Sequence, residues 1–165
     1  MNIFHVNSDP RLAARDLCDK HVVKMILESA QMLCSGFPKD LGAPYKRTHY
    51  NHPSTIWTRT TKTNYLWLTE HALELNQEYG RRYNGKSHKS VQVIEWCRNN
   101  IDKVEFINQQ DLGLTEFAQC MPEIYKVKRN PVQAYRNYYV GDKQEIVSWK
   151  HPGVKPEWFI HTVVR

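Results

Sequence analysis

The sequence predicts a mainly α protein: a compact single-domain helical bundle over residues 1–165, with long irregular connections. Three observations predict it. Apolar residues recur at helical spacing in the long stretches, no alternating strand series or strand–helix–strand rhythm is present, and "SDP" and "RNP" each place a capping residue before a proline, a strong helix start, while "NHPS" puts Pro53 at a first helical turn.

Taken in order, "NIFHVN" reads as a short extended, β-like segment. Asp9 caps and Pro10 opens a first helix over 10–34, with Gly36 as its C-cap. "FPKDLGAPYKRTHYNHPS" is a long polar connection, after which Pro53 restarts the chain as a helix. The β-branched threonines of "TRTTKTN" bend or interrupt it. A long helix over 63–83 follows, with Leu66, Thr69, Leu73 and Asn76 along one side and Leu68, Ala72, Leu75 and Tyr79 beside them. "YNGKSHKS" is a turn, and an amphipathic helix over 89–100 carries Val91, Ile94 and Cys97 inward. "LTEFAQCM" reads as a short helix ended by Pro122. Asn130 and Pro131 start another that stops near Gly141, "QEIVSWK" reads as a final short helix, and the tail "HPGVKPEWFIHTVVR" is mostly irregular.

Composition narrows the function classes. Hydrophobic content of 41% with 24% charged residues describes an ordinary soluble globule. No apolar run reaches the length of a membrane span, and "MNIFHVNSDP" lacks a signal-peptide pattern, so the expected location is the cytoplasm, that of an infected bacterial host if the chain is phage-encoded. Cys18, Cys34, Cys97 and Cys120 are widely spaced and read as reduced, mostly buried thiols. Lys plus Arg number 23 against 17 acidic residues, a net +6 that favours a polyanionic partner. Tyrosines and tryptophans sit beside cations in "RRY", "YRNYY", "SWK" and "PEWF". That interleaving either stacks bases while neutralising phosphates, or buries rings beneath a solvated cationic rim.

"LCDKHVVKMILES" holds the sharpest signal. With His21 set at zero on a helical wheel, Glu28 falls at about 340°, Lys24 at about 300° and Gln31 at about 280°. Val22, Ile26, Ala30, Leu33, Val23 and Leu27 lie on one side of this strip; Ala14, Met25 and Met32 lie on the other. A charged strip between two apolar flanks is expected on a central helix facing a cleft. Two readings account for it: an internal Lys24–Glu28 ion pair, or a site where Glu28 does acid–base work while His21 and Lys24 handle a phosphate or leaving group. Asn51 and His52, with His49, precede a helix N-terminus, a natural place for an anion. Lys86, His88 and Lys89 do the same before a later helix. Arg59, Arg136 and Lys143 complete the candidate nucleic-acid contacts. His49, His52 and His88 lack the cysteine or carboxylate that would complete a zinc spacing, so no metal is expected. P-loop, dinucleotide and nucleophile-elbow motifs are absent, and no cofactor is expected.

The first-helix pattern of Leu17, Asp19, Lys20, His21, Val22, Val23 and Glu28 resembles that of bacteriophage pyrimidine-dimer DNA glycosylases of the endonuclease V type. "HPSTIW…TNYLWLTEHALELNQEYGRRY" is similar to that family's Ser-Pro-Thr segment and following helix, and "AYRNYYVG" to its aromatic, basic tail. The chain also looks like small tailed-phage proteins with D-K-H-x-x-K-M and N-H-P signatures, a likeness that implies no function. The first resemblance implies a helical enzyme that acts on double-stranded DNA and exposes a damaged nucleotide. It also implies an N-terminal α-amine that attacks sugar C1′ and forms a Schiff base, and a glutamate matching Glu28 that assists. An α-amine has an ordinary pKa of about 8, so a useful fraction is unprotonated at neutral pH. The family has a small second residue, whose amine is freed when Met is removed. Here Asn2 should retain Met1, so Met1 supplies the amine, Lys24 substitutes, or the lyase step is absent. Leu27 stands where the family has an arginine.

The expected function is therefore a DNA N-glycosylase on a damaged or modified base, with or without abasic-site lyase activity. The competing readings are a transferase that modifies phage DNA bases and a non-catalytic nucleic-acid-binding protein.

Overall fold

A computed structural model describes residues 1–160. Six α-helices are present among the described residues: α1 (Pro10–Asp16), α2 (Asp19–Cys34), α3 (Pro53–Thr60), α4 (Lys62–Arg82), α5 (Val91–Asn99) and α6 (Pro131–Asp142). Among the described residues there is no strand, and no helix is long and apolar enough to cross a membrane. The mainly α fold is thus as the sequence predicts. Residues 161–165 of the tail lie outside the described residues.

The three proline starts form as expected. Asp9 accepts from the backbone of Arg11 and Leu12, His52 from Ser54 and Asn130 from Gln133, each satisfying donors of a helix's first turn. The threonine-rich stretch breaks α3 from α4 at Thr61. Its extended backbone (φ −133°, ψ 158°) ends one helix while its hydroxyl accepts from Asn64 to start the next.

The continuous helix over 10–34 is corrected: the chain breaks at Leu17–Cys18 into α1 and α2. The cause comes from 65 residues downstream. Arg82, fully buried, donates to the carbonyl oxygens of Leu17 (2.8 Å) and Arg15 (2.9 Å), taking up acceptors that a continuing helix would have used internally. The same guanidinium pairs with Asp19 and Glu78, each at 3.0 Å. Gly36 is not a left-handed cap either; Ser35 ends α2 in right-handed geometry. A Cβ on Gly36 would lie 3.0 Å from a Val104 methyl, so close packing asks for glycine there.

Two further helices are corrected to irregular chain. Residues 114–121 run without secondary structure because distant side chains bind their backbone. Asn64 accepts from Thr115, Trp57 donates to the Thr115 carbonyl, and the Tyr135 hydroxyl accepts from Cys120 while donating to Ala118. "QEIVSWK" forms a turn and an extended stretch, since Asp19 holds Ser148 and the backbone of Lys150, and Trp149 donates to the Asp16 carbonyl. The inner face of α4 is set by Tyr65, Leu68, Ala72 and Leu75, with Leu66 turned to solvent at 41% exposure.

The N-terminal segment threads the core. Ile3, Phe4, His5 and Val6 are buried. Phe4 adopts a left-handed backbone (φ 61°) and stacks on His21 of α2 at 4.3 Å. His5 sits between Phe117, Trp67 and Trp57 at 3.9–4.8 Å. These rings come from α2, α3, α4 and the 114–121 segment, so four parts of the chain fix where residue 1 emerges. The cysteines are free thiols; Cys18, Cys34 and Cys97 are buried.

Candidate active site

Residue 1 emerges beside Glu28. The Met1 amine lies 3.4 Å from Glu28 Oε1, and the Asn2 backbone N–H donates to the same oxygen at 3.1 Å. Lys24 Nζ is 3.8 Å from Oε2. The Glu28 side chain is 12% exposed and that of Lys24 is 70% exposed, so the carboxylate is recessed but open, and its lysine stands in solvent. The Asn2 side chain anchors the turn: its amide donates to the Cys120 carbonyl at 2.9 Å and its oxygen accepts from Ile3. Cys120 Sγ lies 3.2 Å from the hydroxyl of Ser54 at the start of α3. Nothing in the pattern around Cys120 marks it in the sequence; its place depends on the irregular 114–121 path.

The "DKH" tripeptide separates into three roles. Asp19 is structural, gripping Arg82, Ser148 and Lys150. Lys20 points outward. His21 points inward, is 5% exposed, and its Nδ1 lies 2.5 Å from the Tyr139 hydroxyl. Burial first, then Lys143, Lys24 and Lys20, pushes its pKa down to about 4. At neutral pH it is an uncharged ring between Phe4 and Tyr139 and offers no cation to a phosphate. Val22, Ile26, Ala30 and Leu33 are buried as expected, but Val23 is half-buried and Leu27 is 38% exposed, so the edge of that flank is surface. The Glu28 strip borders an exposed face and is not enclosed between two buried ones.

The loop before α3 converges on the same place. His52 caps α3 through Nδ1, and its pKa is lowered by burial, then by the Met1 amine and His49, with Glu28 opposing. That coupling puts His52 within electrostatic reach of both amine and carboxylate. Asn51 is exposed next to it. Other expected contacts fall elsewhere. Arg59 is buried, stacked 3.7 Å from the Tyr50 ring centre and donating to the Tyr50 carbonyl. The His88 ring is occupied in the turn before α5, where Nδ1 accepts from the Ser90 backbone N–H. Arg136 donates to the Val6 carbonyl and so braces the N-terminal segment. Lys143 lies over the Tyr138 ring at 4.7 Å, close enough to bear on His21. Lys86 and Lys89 are exposed. Among the described residues no group of three His, Cys, Asp or Glu side chains is gathered to hold a metal ion.

The arrangement is a recessed carboxylate facing an α-amine, at the edge of a lysine-bearing helix face. The family model for pyrimidine dimer DNA glycosylase matches residues 1–91, which include Met1, His21, Lys24, Glu28 and the loop to α3. The chain belongs to that family. Pyrimidine dimer DNA glycosylases are enzymes that act on DNA, and the match ends at the first residue of α5, so Arg136 and Lys143 lie beyond it. Leu27, where the family pattern has an arginine, is on the exposed face beside Glu28. No curated protein and no solved structure gives a significant match to the chain.

Proposed function

We propose that this pyrimidine dimer DNA glycosylase releases a damaged base from double-stranded DNA by attack of its N-terminal amine, and that strand cleavage follows by elimination. The observation that carries this reading is the 3.4 Å approach of the Met1 amine to Glu28 Oε1. A neutral amine attacks sugar C1′; the N–C1′ bond forms as the bond from C1′ to the base breaks, and the base departs with that electron pair and takes up a proton. The nitrogen gives up a proton, and its lone pair forms the C1′–N double bond as C1′–O4′ breaks; O4′ keeps that bond's electrons and takes up a proton, leaving the protonated imine. Removal of a C2′ proton then expels the 3′-phosphate.

Glu28 suits two duties in this sequence: accepting the amine proton and offsetting positive charge at the sugar. The amine needs no search to find its carboxylate, because the buried 3–6 segment holds it in place. Retention of Met1 is not required by the geometry. If Met1 were removed, the freed amine would be the Asn2 nitrogen, which already donates to the same oxygen at 3.1 Å. Lys24 is the poorer nucleophile on position, being mostly in solvent and 3.8 Å from the other oxygen; its role is to meet a phosphate beside the sugar. His52 is within electrostatic reach of the amine and Glu28, with Asn51 exposed beside it, and His21 is a positioning residue that fixes Phe4 and with it the amine.

Borohydride reduction in the presence of abasic-site DNA tests this directly. The expected result is a covalent adduct whose DNA remnant maps by peptide mass spectrometry to the N-terminal residue. An adduct on Lys24 would reassign the nucleophile. Absence of any adduct, together with no base release from DNA carrying dimers or other lesions, would end the proposal.

A further inference from the structure

A groove of about 520 Å³ runs between the outward edge of α2 and the C-terminal end of α4, lined by Lys20, Val23, Lys24, Tyr79, Tyr83 and Lys86 beside Asp19. It opens onto the proposed active site, because Lys24 both lines it and meets Glu28. Its charge is only partly compensated: Lys24 pairs with Glu28, and the other two lysines of the lining remain. Asp19, the one carboxylate in the lining, is occupied by Arg82, Ser148 and the Lys150 backbone. Among the described residues Lys20 and Lys86 have no carboxylate within ion-pair distance, whereas Arg11, Arg15, Arg81 and Lys126 each have one. Lys20 and Lys24 stand about one helical turn apart on α2, about 6 Å along the axis. Tyr79 and Tyr83 lie together at 5.4 Å, half-buried, and Lys150 Nζ adds a further cation 5.0 Å from the Tyr83 ring centre. Unpaired lysines beside half-exposed tyrosines form a surface that neutralises phosphates and stacks a base.

We infer that this groove holds the DNA strand running on from the nucleotide at Glu28, with phosphates against Lys20 and Lys86 and an unpaired base against Tyr83. The inference rests on the reading of Glu28 as the site of base release and adds where the substrate strand leaves it. Phosphates along the groove would hold the sugar at Glu28 through contacts remote from the reacting bond, and Tyr83 would fill the place of a lost stacking partner beside an opened base pair.

The test is fluorescence anisotropy with a labelled duplex carrying a tetrahydrofuran abasic analogue, which the protein cannot cleave, across a salt series. Lys20→Gln and Lys86→Gln should each weaken binding about three- to tenfold and lower the salt slope by about 0.9. Lys39→Gln, which removes an equal charge past the far end of α2, should do neither. Tyr83→Ala should weaken binding about tenfold and Tyr83→Phe should restore it. Slopes equal to wild type for both lysine variants, or an equal loss in Lys39→Gln, would overturn the inference, as would Tyr83→Phe binding as poorly as Tyr83→Ala. Base release by the wild type, measured in parallel on dimer-containing DNA, separates the two claims. Release with unchanged slopes removes the groove alone, binding without release removes the glycosylase reading, and a wild type that binds no DNA removes both.

Discussion

Glu28 is where the chemistry is decided, and its surroundings make a clean substitution available. Its Oε1 accepts from the Asn2 backbone N–H and pairs with the Met1 amine at 3.4 Å, and its Oε2 faces a solvent-borne lysine. Glu28→Gln keeps the shape and one acceptor while removing the charge and the basic lone pair. Base release in single-turnover reactions should fall by about 10²- to 10⁴-fold, the range for loss of a general base. The melting temperature should hardly move, because the exchange leaves the packing of α2 intact. A rate within a fewfold of wild type would place the acid–base work elsewhere. The residue scale also separates two histidines that look equivalent in sequence. His52 shares its surroundings with the amine and Glu28, whereas His21 is walled in by Phe4 and Tyr139.

At the scale of elements, Arg82 organises the junction on which the site stands. The last residue of α4 reaches back under α1 and α2, satisfies two carbonyls at their break, and pairs with Asp19 and Glu78. Asp19 in turn ties the 148–150 stretch to the start of α2. Arg82→Met keeps much of the volume but leaves buried carboxylates and carbonyls without a donor. A loss of about 3–5 kcal/mol is expected, read from the urea midpoint, as for breaking a buried ion pair from one side. A loss below about 1 kcal/mol would show that α1 and α2 hold their angle without it. Gly153 belongs to the same device: a Cβ there would come within 2.5 Å of Arg82 Nε, so Gly153→Ala should also destabilise the chain.

Over the whole molecule, three histidines are buried in neutral form and set the response to acid. Burial lowers His5 well below its ordinary value, with His71 adding to the effect, and lowers His71 and His21 to about 4. A histidine with a depressed folded-state pKa takes its proton first in the unfolded chain. Stability is therefore full above about pH 6.5, declines as pH falls below that, and levels off below the folded-state values near 4. For His71 alone the depression from 6.5 to about 4 corresponds to about 3 kcal/mol. Urea unfolding at pH 7.5, 5.5 and 4.5 should show falling midpoints. Equal midpoints at 7.5 and 4.5 would mean that these rings are not held neutral.

Much of the architecture was legible because its signals are local. A capping side chain and a proline two bonds away dictate a helix start whatever surrounds them, so Asp9, His52 and Asn130 open their helices where the sequence places them. The spacing of Glu28, Lys24 and His21 likewise marked α2 as the helix to watch. The sequence by itself determined the helical class, the principal helices and the identity of the acidic residue in the opening motif. Tertiary structure alone decided the break between α1 and α2, the irregular paths of 114–121 and 144–150, the inward turn of His21, the burial of Arg59 and the meeting of the first residue with Glu28. For the break and the two irregular paths the partner lies far along the chain: Arg82 for the break, Asn64 and Tyr135 for 114–121, Asp19 for 144–150. A hydrogen bond or ring contact from such a distance outweighs a local helix preference of a few tenths of a kcal/mol per residue, and no window of neighbouring residues contains it.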